Sequence, residues 1–175
     1  MKARLKIIKG DITQLKVDAI VNAANPTLLG GGGVDGSIHR AAGSDLLEEC
    51  KKLGGCTVGH AKITKGYHLP AKYVIHTVGP IWRGGAKGEP QLLCSCYEEC
   101  LHIALEYGIK TLAFPAISCG IYSYPISQAA TIAIKETANF LELHKEIECV
   151  EFVCFDDTIY EAYQHALEAL YHPYE

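Results

Sequence analysis

The chain has 175 residues, 49% hydrophobic and 21% charged, with a formal net charge of −4. This is the size and composition of one globular domain with room for a sizeable core, and it excludes a disordered chain. No Lys/Arg cluster forms a basic stripe, which excludes duplex nucleic acid as a default partner, because phosphate neutralisation dominates such binding. The opening Met1-Lys2-Ala3-Arg4 lacks the apolar core of a signal peptide, and no apolar run approaches the roughly 20 residues of a membrane helix. The expectation is a cytoplasmic protein. In that compartment the eight cysteines (50, 56, 94, 96, 100, 119, 149 and 154) read as free thiols. No CxxC occurs, and Cys94, Cys96 and Cys100 do not share one helix face, so no zinc pattern forms.

In chain order, Arg4 to Ile8 alternates as an opening strand, and Gly10-Asp11-Ile12-Thr13 makes a turn in which Asp11 is either a cap or a ligand-facing carboxylate. Ala19 to Ala24 is short and apolar, as in a strand buried on both faces. Asn22-Ala23-Ala24-Asn25 runs out of it into Pro26-Thr27-Leu28-Leu29 and the tetraglycine Gly30 to Gly33, followed by Val34 and Asp35. A helix follows from Val34 and closes at Gly43, and Asp45 is expected to cap a second one that ends near Gly54-Gly55. Ala61 to Thr64 is a weak strand, Tyr73 to Val78 a strong one, and 82–88 a glycine-rich loop. Gln91 to Tyr107 has helical periodicity. Thr111 to Pro115 is a buried strand that leads into Ala116-Ile117-Ser118-Cys119-Gly120-Ile121-Tyr122. A long helix spans Ile126 to Leu143, Glu148 to Phe155 is the last strand, and Asp156-Asp157-Thr158 caps a helix through Leu170.

This alternation predicts a single α/β domain over residues 1–175, with a largely parallel sheet covered by helices on both faces. Ligands bind beyond the carboxyl ends of such strands, and both glycine-bearing loops leave strand ends. Glycine loses the most backbone freedom on ordering, so four in a row inside a domain imply a ligand that needs bare backbone close to it, typically a phosphate. Gly31 to Gly36 satisfies GxGxxG, but Asn25 to Leu29 separate it from its strand and Glu48 and Glu49 fall in a helix, so a dinucleotide-dependent oxidoreductase fits poorly. No Walker loop is present. Asp35 reads as a helix cap, a catalytic carboxylate, or both. Asn25 reads as a turn residue or a ligand for sugar hydroxyls, and His39 as a core residue or one that orients Asp35. Histidines 60, 68, 76, 102, 144, 165 and 172 form no metal-spaced pair.

Together Gly10 to Thr13, Asn22 to Asn25, Gly30 to His39 and Pro115 to Tyr122 resemble the macro domain family, most closely its MacroD-type branch of ADP-ribose-ester hydrolases, from Lys6 to about Leu170. The resemblance implies a three-layer α/β/α fold around a mixed, mostly parallel sheet of about six strands. It also implies an ADP-ribose cleft above the strand ends. Asp11 would accept from the adenine amino group with Ile12 beside it, and Phe155 would pack on the ring. Asn22, Gly32, Gly33 and Val34 would line the phosphates and distal ribose. Ser118, Cys119, Gly120, Ile121 and Tyr122 would form a second phosphate loop, with Tyr122 able to cover the distal ribose. Asn25 and Asp35 match the catalytic pair of that branch. Some members carry zinc, but no Cys/His ligand set can be assembled here, so neither metal nor cofactor is expected.

The expected activity is hydrolysis of ADP-ribose esters: release of mono-ADP-ribose from acidic side chains of proteins, and of acetate from O-acetyl-ADP-ribose. Both substrates carry an acyl ester on the distal ribose. The alternative is a non-catalytic ADP-ribose reader with the same cleft. A monomer, with no membrane partner, is expected.

Overall fold

The computed structural model describes residues 4–171. Its elements are β1 (Leu5–Lys9), a short 3-10 turn (Ile12–Gln14), β2 (Ala19–Ala23), α1 (Gly33–Ala42), α2 (Ser44–Leu53), β3 (Ala61–Lys65), β4 (Tyr73–Thr77), α3 (Glu89–Glu106), β5 (Thr111–Phe114), α4 (Ile126–Leu143), β6 (Cys149–Cys154) and α5 (Asp157–Tyr171). One six-stranded sheet runs in the order β1-β6-β5-β2-β4-β3. Every neighbouring pair is parallel except β3 with β4 at one edge.

Alternation along the strands divides the core into two layers. Ala19 and Val21 of β2, Leu112 and Phe114 of β5, and Val150 and Phe152 of β6 pack under α3, α4 and α5. Ile20, Ala113 and Val153 point the other way, to Ile38 and Ala42 of α1 and Leu46 and Cys50 of α2. The strands buried on both sides are therefore apolar on both sides, which is why β2 and β5 read as unbroken apolar runs.

This layering also positions the cleft. β2 and β5 are neighbours, but the chain leaves β2 toward α1 on one face and leaves β5 toward α4 on the other. Where successive connections diverge in this way, a crevice opens at the carboxyl ends of the strands.

Two helix starts differ from expectation. α1 begins at Gly33 with Gly32 as its N-cap, so Asp35 lies inside the first turn. α2 begins at Ser44 and is capped by Gly43, not Asp45, because Gly43 alone joins the two helices at φ +88°. A side chain there would be strained and would press on the His68 ring. Asp156 does cap α5, its Oδ1 accepting from the Ile159 N–H at 2.9 Å.

Candidate functional site

The segment between β2 and α1 is pinned at both ends. Leu28 is fully buried against the α1/α2 layer despite a φ of +60°. Asn25 holds the segment from within: its Oδ1 accepts from the Thr27 N–H (3.1 Å) and hydroxyl (2.6 Å), and its Nδ2 donates to the Gly30 carbonyl (2.9 Å). One amide proton of Asn25 remains for a ligand. A side chain at Gly31 would lie 3.1 Å from Asp35 Oδ2 and 3.2 Å from Asn25 Nδ2, so these two groups converge on the same stretch of bare backbone. The first N–H groups of α1, those of Gly33, Val34 and Asp35, lie at the positions that have no acceptor within a helix. With the helix dipole they give the cleft wall a positive potential that favours an anion.

Asp35 is only 3% exposed yet lines the cleft. Its Oδ1 accepts a hydrogen bond from Asn22 Nδ2 at 2.9 Å, and His39 Nε2 stands 3.5 Å from the same oxygen. Burial pushes the Asp35 carboxyl above its ordinary value, against the opposing pull of the Asn22 amide and His39. A carboxyl poised in this way, with Oδ2 turned toward Gly31 and Asn25, can hold a water and accept its proton.

The loop after β5 is shaped by contact. Ser118 adopts φ +67°, a strained conformation for a side-chain-bearing residue, and its hydroxyl donates to the Pro80 carbonyl at 2.8 Å. Gly79 faces it so closely that a Cβ would stand 2.3 Å from Ser118 Oγ and 2.7 Å from Ile117 Cγ2. The Trp82 N–H donates to the Tyr122 carbonyl at 2.8 Å, and the Trp82 ring packs on Tyr124 with centroids 4.7 Å apart. Glu89, itself buried, holds the loop behind Trp82 by accepting from the N–H groups of Arg83, Gly85 and Lys87 at 2.7–2.9 Å. Burial acts to raise its pKa, but these amide donors outweigh it and bring the carboxyl down to about 2.

A cleft of about 950 Å³ lies between the two loops, the size of a site for a drug-sized ligand. At one end Asp11 uses Oδ1 to accept from the Thr13 N–H and hydroxyl (3.0 and 2.7 Å), which leaves Oδ2 for a ligand donor. Ile12 lies beside it, and Phe155 stands 90% exposed at the rim. Asn25, Asp35, Asp11, Ile12, Gly32, Gly33, Val34, Ser118, Cys119, Gly120, Ile121, Tyr122 and Phe155 all line this cleft.

Asn22 does not line it, which corrects its expected place among the ligand-facing residues. It is fully buried, because it points with Ile20 into the layer under α1, where its amide meets Asp35 from behind. Gly79 and Arg40, which line the cleft, and Glu89, which does not, escaped the sequence reading. Only a strand-end glycine before proline marked Gly79, and nothing local marked Glu89. Among the described residues no group of three or more His, Cys, Asp or Glu could hold a metal ion, and no helix is long and apolar enough to cross a membrane.

The Macro domain family model matches residues 21–133. A macro domain-containing protein of Chlorobaculum tepidum is 61% identical over 162 residues, covering 93% of this chain and 94% of its own. An O-acetyl-ADP-ribose deacetylase of Enterobacter cloacae is 54% identical over 171 residues, covering 95% of each chain. An Oceanobacillus iheyensis macrodomain variant solved with ADPR superposes with a TM-score of 0.92 at 40% identity, over 95% of this chain and 93% of that one. The match to the family model and the level of identity show that the chain belongs to the macro domain family.

Proposed function

We propose that the protein binds ADP-ribose in this cleft and hydrolyses acyl esters on its distal ribose, taking O-acetyl-ADP-ribose and mono-ADP-ribosylated acidic side chains as substrates. The observation that carries this reading is the Asp35 carboxylate. It is buried, raised in pKa, bonded from behind by Asn22, and has its second oxygen converging with the Asn25 amide on Gly31. A relative named as an O-acetyl-ADP-ribose deacetylase and a structural neighbour solved with ADPR support it.

Adenine lies at the end with Asp11 and Phe155, and the pyrophosphate between the α1 N-terminus and the loop 118–122. The distal ribose then reaches Asn25 and Asp35. The remaining Asn25 amide proton orients a ribose hydroxyl or the ester. Asp35 Oδ2 holds the attacking water and accepts its proton as that water adds to the acyl carbon; as the adduct collapses, the bond from the acyl carbon to the ribose oxygen breaks and that oxygen takes the proton back from Asp35 to leave as a hydroxyl. Backbone amides facing the phosphates supply positive potential without net basic charge, which fits an acidic chain. The protein works as a cytoplasmic monomer in this account.

The test is release of acetate from O-acetyl-ADP-ribose and of ADP-ribose from a glutamate-modified protein, beside calorimetric binding of ADP-ribose. Turnover of either ester supports the hydrolase. Tight binding without turnover identifies a reader instead.

A further inference from the structure

Asn22 and His76 are direct partners in the parallel register of β2 and β4. Both are fully buried on the α1/α2 side of the sheet, among the apolar side chains of that layer. Polar groups in such a layer are tolerated when their donors meet acceptors. Here the bonds run in one direction. Asn22 Nδ2 lies 2.9 Å from Asp35 Oδ1 and 3.1 Å from His76 Nδ1. The two protons of one amide NH2 serve both acceptors, which makes His76 Nδ1 an acceptor and leaves the ring proton on Nε2. Nε2 donates to Thr64 Oγ1 at 2.9 Å, and Thr64 donates onward to the Lys65 carbonyl at 3.0 Å.

The amide has little else to hold it. Asn22 Oδ1 has no hydrogen-bond partner among the described residues. His39 stands 3.5 Å from Asp35 Oδ1 and makes no hydrogen bond there. The roll of the Asn22 amide is thus fixed by Asp35 on one side and His76 on the other. Without the His76 acceptor, only the bond to Asp35 restrains that roll.

We propose that His76 is a positioning residue for ester hydrolysis, acting through Asn22 to hold the Asp35 carboxylate with Oδ2 turned to the cleft. The proposal rests on the hydrolase reading for its kinetic consequence only. The ionisable groups packed around the ring are Asp35 and His39 on α1 and Cys50 on α2, whose Sγ lies 3.9 Å from Nε2. Burial, with a smaller contribution from His39, lowers the His76 pKa to about 3, so the ring remains an acceptor at neutral pH.

Two variants separate this role from a packing role. His76→Asn places a carbonyl oxygen near the Nδ1 position and gives up Thr64. His76→Gln reaches the Nε2 position and leaves Asn22 without its acceptor. The expected result is at least a tenfold loss of kcat for His76→Gln, with kcat of His76→Asn within about threefold of the parent and ADP-ribose Kd within twofold in both. The second readout is the carboxyl titration of Asp35, followed by carbon-13 NMR. It should move up in His76→Gln, because the donor that favours the charged form is lost, and stay in place in His76→Asn. An Asp35 titration in His76→Gln equal to the parent's overturns the proposal, as does an Asn variant as impaired as the Gln variant. If the parent cleaves no ester, the hydrolase reading fails alone and the titration still decides the positioning role.

Discussion

The loop after β2 rests on hydrogen bonds buried beneath it: Asn22 to Asp35, Asn22 to His76, His76 to Thr64. The loop after β5 rests on close packing together with bonds along its backbone: Gly79 lies against Ser118, whose hydroxyl donates to the Pro80 carbonyl, and the Trp82 N–H donates to the Tyr122 carbonyl while its ring packs on Tyr124. The first arrangement fixes the direction of one carboxylate, and the second fixes the path of a backbone. A side chain held by directed bonds keeps one orientation, whereas a loop held by packing and main-chain bonds keeps one path. The two loops should therefore fail differently, the first in rate and the second in affinity.

The largest effect expected is from Asp35→Asn. It is isosteric and can still accept from Asn22, so the fold and the loop are kept while the proton acceptor is removed. Turnover of O-acetyl-ADP-ribose should fall about 10²–10⁴-fold, the usual worth of a general base. ADP-ribose affinity, read by calorimetry, should hold or improve, since one negative charge in a cleft proposed to take an anionic ligand is gone. A parallel loss of affinity would erase the distinction between the loops. Because burial raises the Asp35 pKa, the acid limb of the kcat profile should lie above the ordinary value of an aspartate.

Gly79→Ala attacks the other loop. Its Cβ would overlap Ser118 Oγ and the buried Ile117, neither of which has room to withdraw. Overpacking of this kind costs about 1–3 kcal/mol. The loss should appear in thermal stability and in ADP-ribose affinity, with kcat on saturated enzyme changed much less. If kcat falls more than affinity, the loop after β5 takes part in the chemistry.

Phe155→Ala should have a smaller and narrower effect. The ring is 90% exposed, so its removal should leave thermal stability almost unchanged, within about 0.5 kcal/mol. Stacking on a base is worth about 1–3 kcal/mol, so ADP-ribose should bind roughly tenfold more weakly. Phe155→Trp should restore the affinity. Equal binding by parent and Ala variant would place the adenine elsewhere.

How far the sequence disclosed this site depended on whether a feature is local. β2 and β5 stood out as apolar runs because the sheet is covered on both faces, and α4 fell on its expected ends. Asn25, the tetraglycine and Asp35 lie within 11 positions of one another, so their convergence could be read along the chain. The partnership of Asn22 with His76 spans 54 positions and depends on strand register. An apolar run on both faces carries no parity, so nothing indicated whether Asn22 faced the ligand or the layer behind it. Gly79 had no local mark of its role either, because the atoms that forbid a side chain there come from residues 117 and 118.

Glu89 bears on stability alone, with a pH dependence of definite sign. Its folded pKa is lowered from 4.5 to about 2 because burial, which acts to raise it, is outweighed by the backbone N–H groups of Gly85, Arg83, Glu89 and Lys87, which favour the charged form. The unfolded chain therefore takes up this proton first as pH falls. The stability contributed by ionised Glu89 is fully present above about pH 4.5 and is lost progressively as pH drops toward 2. Glu89→Gln keeps the shape but turns an amide toward N–H donors, so it should melt below the parent at pH 7. The gap should narrow from about pH 4.5 downward and nearly close near pH 2. His76, whose folded pKa is also lowered, destabilises both proteins alike in acid and cancels in the difference. A gap that stays constant across this range would mean that the Glu89 charge does not hold the loop behind Trp82.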